Sequence, residues 1–307
     1  MFCRNLIWAL PVLLLCTSVG TSARADEADD AVKVELMETG TAPLQTIRYA
    51  PRVGETQTAV MTISMDMAMS VAGNAMPAQS IPAQKVTFDT TIEKVSDDGV
   101  IEFSFIYTGA EIVDDAQNPS PMAPMLEEML KPLIGATGKA TVTNRGITQS
   151  AEFNIPDEMA PQLKQILDGM KESMNRISSP VPSEEIGQGA KWKVTQNLVA
   201  NGMRVVQTSI HEITKFEPGG FTMSIEVTQA ADAQEIKNPG LPPGTKLSLV
   251  SLDTSGEGTS QIQVGSLIPE QSSLTIRSKT TMDVETAGQK QQMTTDMSMG
   301  MELESLR

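Results

Sequence analysis

The chain has 307 residues, a formal net charge of −15 and a 40% share of hydrophobic residues, so it is long enough to bury a sizeable core. An acidic balance of this size repels phosphate backbones and anionic lipid surfaces, which argues against nucleic acid and against electrostatic membrane binding. With a single histidine, His211, no His-pair metal site can be built. G-x-S-x-G, S-x-x-K, H-E-x-x-H and phosphate-loop patterns are all missing, so the sequence offers no catalytic motif and implies no cofactor.

Residues 1–25 read as a signal peptide. Arg4 supplies a positive start, 6–16 is an apolar run too short to span a bilayer, and Ala23-Arg24-Ala25 is a small-x-small cleavage site. A competing reading lipidates Cys16, but the bulky Leu15 stands where a small residue is wanted. Cleavage after Ala25 removes both cysteines, Cys3 and Cys16, so the expected product has no disulfide or thiolate ligand. Arg4 and Arg24 leave with it, taking 23 basic residues to 21 against 38 acidic ones, a net charge of −17. The expectation is an exported protein, periplasmic or extracellular, with no transmembrane anchor in its mature form.

Residues 26–43 are acidic and small and read as a flexible leader; 44–307 reads as a single β-rich domain. Its first β block covers 44–116. Met61, Ile63, Met65, Met67, Met69 and Val71 alternate with polar or small residues, the mark of a strand with one buried face. Gly73-Asn74 and the proline-rich 77–82 break it. A strand from Val86 to Ile92, the turn Asp97-Asp98-Gly99 and an alternating strand through Ile101, Phe103, Phe105 and Tyr107 follow.

An insert, 117–180, comes next. A short helix is expected over 125–133, then a hairpin of 140–143 and 147–154 about Asn144-Arg145-Gly146. Asp157 caps a long amphipathic helix over 157–177, with Met159, Leu163, Ile166, Leu167, Met170, Met174 and Ile177 on one face. The second β block, 181–307, has strands about the turns Asn201-Gly202 and Pro218-Gly219-Gly220, and a loop over 230–244. Further strands are expected at 246–253, 259–264, 274–284 and 292–303. Each block opens on an apolar-Gly pair, Val53-Gly54 and Ile186-Gly187. Ile92-Glu93-Lys94-Val95 before Gly99 is echoed by Ile213-Thr214-Lys215-Phe216 before Gly219. The fold expected is therefore α+β but mainly antiparallel β: a large curved sheet from two related β meanders packed around one long helix.

The two apolar-Gly openings, Lys191-Trp192, a strand start at Gly256 to Gly258 and the export signal resemble an uncharacterised family of exported bacterial proteins. That likeness carries no site residues. A looser likeness of architecture joins the chain to periplasmic lipoprotein carriers, whose curved sheet holds acyl chains; fold alone does not imply function.

Few residues invite chemistry. His211, beside Glu212 in an expected strand, reads as a structural histidine at the surface or half buried. Asp114-Asp115 with Asn118 lacks the spaced oxygens and central glycine of an EF-hand loop. Carboxylates adjacent in turns do not predict a hydrolase groove. The unusual feature is methionine, 20 in all, concentrated at Met65, Met67, Met69 and at Met297, Met299, Met301. Residues two apart on a strand face the same way, so each run is a stripe of thioethers on one sheet face. Three readings compete: an ordinary core, a plastic cavity lined by these six residues for an apolar or lipidic ligand, and capture of a soft cation such as Cu(I). The function expected is a non-enzymatic cell-envelope protein that binds an apolar small molecule or lipid. A packed scaffold that engages another envelope protein is the alternative.

Overall fold

In a computed structural model the described residues are 32–114, 117, 119–154, 180–200, 202–236, 244–286 and 288–306. The signal peptide expected at 1–25, Asp115, Asn118 and the helix expected over 157–177 lie outside them. The strands are, in chain order, β1 (Val32–Glu38), β2 (Thr41–Thr46), β3 (Thr56–Val71), β4 (Asn74–Ala75), β5 (Gln79–Val95), β6 (Val100–Val113), β7 (Thr137–Thr143) and β8 (Thr148–Asn154). They continue with β9 (Glu185–Gln188), β10 (Lys191–Ala200), β11 (Met203–Glu217), β12 (Gly220–Ala230), β13 (Gln234–Ile236), β14 (Thr245–Gln263), β15 (Gln271–Thr286) and β16 (Gln289–Leu306). Among the described residues the only helical structure is α1 (Ala123–Leu130), which runs straight into a 3-10 turn at Lys131–Leu133. This is the short helix the sequence placed at 125–133, and the described fold is mostly antiparallel β, so α+β overstates its helix.

All the strands but two belong to one antiparallel sheet of 14 strands. Its path is β1-β10-β11-β12-β14-β15-β16-β3-β5-β6-β7-β8, with β4 and β13 paired off it, and β2 and β9 pair separately. The hairpin expected within the insert does form, but β7 and β8 extend the first meander rather than stand apart from it. The acidic leader is also more regular than expected. From Val32 it is strand β1, with Val32, Val34 and Leu36 against the core cluster. On the other face Glu35 binds Lys193 of β10 at 2.7 Å and Lys33 at 2.8 Å. Those two ammonium groups hold the Glu35 carboxyl down to about 2.

Period-two patterning makes the sheet two-faced. One face carries Val194, Ile213, Met223, Val227, Leu274, Ile276, Phe105 and Tyr107. The other carries Lys193, Glu226, Glu257, Arg277, Lys279, Asp296 and Asp66. The apolar face curls inward. Ile92 of β5 and Phe221 of β12 are five strand spacings apart along the sheet, about 24 Å if it were flat. They nevertheless share one cluster with Ile101, Val142, Trp192, Ile213 and Ile262.

This cluster fills one end of the curl. Its floor is the chain at 47–50 and 180–190. Tyr49 N–H donates to Asn144 at 2.8 Å, Val181 N–H to Arg145 at 2.9 Å, and the Trp192 indole N–H to the Pro180 carbonyl at 2.9 Å. A second, aromatic cluster joins Phe105, Tyr107, Phe88 and Phe153, with Phe105 edge-on to Phe153 at 5.1 Å. Burial pushes the Tyr107 phenol up to about 12.

The internal repeat has a structural counterpart, shifted from the sequence alignment. Gly54 N–H bonds the Ile92 carbonyl at 2.8 Å and Ile92 N–H bonds Glu55 at 2.9 Å. In the second meander Gly189 N–H bonds Ile213 at 2.9 Å and Ile213 N–H bonds Ala190 at 2.9 Å. Gly54 thus corresponds to Gly189, while Gly187 lies inside β9. A register shift follows each isoleucine, between Ile92 and Lys94 and between Ile213 and Lys215.

Two turns show how local chemistry sets the path. Ala72-Gly73 joins β3 to β4 with φ of 51° and 81°, the left-handed pair that matches the twist of the flanking strands. Gly256 and Gly258 do not start a strand; they lie within the 19-residue β14. A Cβ on Gly258 would sit 2.2 Å from the Ser273 carbonyl oxygen, so only glycine lets β14 pass this close to β15.

Candidate functional site

The two methionine runs, more than 220 residues apart in sequence, are brought side by side. β16 pairs with β3 so that Met297 lies opposite Met67 and Met299 opposite Met65, while Met301 faces Ile63 and Met69 faces Thr295. Directly opposed residues point to the same side of an antiparallel sheet, so the two stripes merge into one patch. The patch grows along both strands to Met61 opposite Leu303 and Met293 opposite Val71. From Met61 to Met69 it runs about 27 Å.

The patch continues laterally across the inner face. Leu274, Ile276 and Ser278 of β15 stand opposite Met301, Met299 and Met297. Beyond them come Gly258, Gly256 and Thr254, then Ile225, Val227 and Gln229 of β12. On the other side Ile81 and Gln79 stand opposite Met65 and Met67. All six methionines singled out from the sequence are half-buried, and none belongs to either packed cluster. Sequence reasoning missed the neighbours on β12, β14 and β15. The same period-two parity marks them, but only the strand order shows which rows adjoin.

Width has a physical consequence here. An eight-stranded barrel is just filled by its own side chains, and wider ones enclose a lumen. This sheet has 12 strands along its path, 14 less β4 and β13, and its packed cluster occupies one end. The middle of the inner face, where the methionines lie, is less tightly covered.

His211 is deeper than the sequence implied. It is 4% exposed and stacked flat on Trp192, ring centroids 5.2 Å apart. Ser209 Oγ lies 2.9 Å from its Nε2, and its Nδ1 is buried with no hydrogen-bond partner. Burial lowers its pKa to about 4, so the ring is neutral at neutral pH. The Ser209–His211 pair has the atoms of a nucleophile and its base. Sealed among apolar neighbours, it leaves no room for a substrate carbonyl. Among the described residues no group of three or more His, Asp, Glu or Cys is placed to hold a metal ion, and no helix is long and apolar enough to cross a membrane. No family model and no curated protein matches the chain.

Proposed function

We propose that the protein is a non-enzymatic, exported envelope protein that holds an apolar or lipidic ligand against the methionine-bearing inner face of its sheet. The carrying observation is the joined patch of Met65, Met67, Met69, Met297, Met299 and Met301, half-buried on an uncharged face beside Ile63, Ile81, Leu274 and Ile276. Thioether side chains are unbranched and polarizable, and suit a surface that must adapt to ligands of varied shape. The outer face of the same strands carries Asp66, Asp296, Lys279 and Arg277, which keeps that side in water.

The test is a titration of the purified protein with a fluorescent long-chain fatty acid and with phospholipid, read by fluorescence and by native mass spectrometry. The double variant Met67→Gln with Met299→Gln is expected to bind about tenfold more weakly, about 1.4 kcal/mol, without loss of fold. No uptake by the unaltered protein, or equal uptake by the variant, would remove the proposal. A second reading, a scaffold that recruits another envelope protein by strand addition, is favoured by β1 and β8, which end the described sheet as edges.

A further inference from the structure

The same register that joins the methionine stripes sets up a chemistry distinct from lipid binding. Met65, Met67, Met297 and Met299 form a two-by-two grid across β3 and β16. Opposed Cβ atoms in such pairs lie about 4.5–5.5 Å apart, and diagonal neighbours are still within reach of long side chains. Each thioether swings on three rotatable bonds, so three sulfurs can converge on one point above the sheet. Met69 is diagonal to Met297 and Met301 is diagonal to Met65, so the grid has a further sulfur at each end.

The donors around the grid are selective. Hard cations such as Mg²⁺ and Ca²⁺ need oxygen ligands, above all carboxylates. The nearest carboxylates in sequence, Asp66 and Asp296, alternate with the methionines and so lie on the opposite face, where Asp296 meets Lys279 at 3.8 Å. The same-face neighbours are Ile81, Gln79, Ile276 and Ser278. Thioethers select soft monovalent cations instead. The half-buried state of the four side chains leaves a path for an ion, and the negative field of the chain raises the local cation concentration.

We infer that Met65, Met67, Met297 and Met299 form an all-thioether site for one soft d10 cation, Cu(I) or Ag(I), with Met69 and Met301 as alternative third ligands. The site uses the patch assigned above to an apolar ligand but needs the sulfur atoms, not only the apolar surface. Replacing all four residues by leucine (M65L/M67L/M297L/M299L) therefore tests the need for sulfur, because leucine keeps volume and apolar character and removes the ligand atom.

The probe is Ag(I) alone, which avoids redox chemistry. It is titrated into the purified protein carrying ¹³C-methyl methionine and read by native mass spectrometry and methyl NMR. One Ag(I) per chain is expected, with methyl shifts centred on these four residues, and at least tenfold less retention by the leucine variant. Retention of Ag(I) by the leucine variant at the unaltered level would overturn the site. If the variant fails to fold, the methyl spectrum of the unaltered protein decides: shifts confined to methionines other than these four, Met69 and Met301, or no shifts, reject it.

Discussion

Protonating His211 requires an ion inside an apolar stack, and that sets a pH dependence. Its folded pKa of about 4 lies below the ordinary value of 6.5, so the unfolded chain binds the proton more readily. The contribution to stability is complete above about pH 6.5 and is lost as pH falls toward 4. The shift corresponds to about 3 kcal/mol. A His211→Gln variant, which keeps a partner for Ser209 but cannot titrate in this range, should lose that much less stability than the unaltered protein between pH 7 and pH 4. Denaturant unfolding at both pH values measures the difference; parallel losses would place the acid sensitivity elsewhere. The sequence showed His211 in a strand but not its depth. Alternation assigns a side chain to a face, and here Ile210 and Ile213 are apolar on opposite faces, so neither face declares itself the core.

Among the elements, β14 shows how a glycine can be misread. Gly256-x-Gly258 looks like a break between two strands because glycine weakens a strand interior. In the folded protein both glycines lie on the inner face of one continuous strand and permit its close approach to β15. Gly258→Ala should therefore destabilise by roughly 2 kcal/mol or more, since its Cβ meets backbone, which cannot swing aside. Chemical denaturation of this variant beside Gly265→Ala, where a Cβ meets nothing within 4 Å, is the check. Equal midpoints would mean that the strands can part at no cost. The hairpin turns were legible because positive-φ chemistry is local: Gly99, Gly146 and Gly219 all sit where the sequence placed turns. The strand within the leader was hidden by composition. Val32, Val34 and Leu36 alternate with Lys33 and Glu35, but the acidic run before them outweighed a period only three residues deep.

In the whole molecule, the two meanders meet in a single core. Ile92 and Ile101 from the first pack in the same cluster as Ile213 and Phe221 from the second. They should unfold together, so Trp192 fluorescence and far-UV circular dichroism are expected to trace coincident thermal transitions. With Trp8 in the segment read as a signal peptide, Trp192 is the sole indole of the processed chain. Two separated transitions would show the meanders to be independent. The repeat was visible in the sequence because each copy keeps its own local order of strand, bulge and turn. The neighbour relation between β16 and β3 was not, because nothing in either run names its distant partner. That pairing has a consequence for the order of assembly. β16 is the only strand bridging the two halves of the described sheet path, and it is synthesised after every other described strand. Until it emerges, β3 presents a long bare edge lined with Met65, Met67 and Met69, the kind of surface on which nascent chains aggregate. Until β16 pairs, nothing joins the two halves of the sheet, and β3 stays open to a second copy of itself.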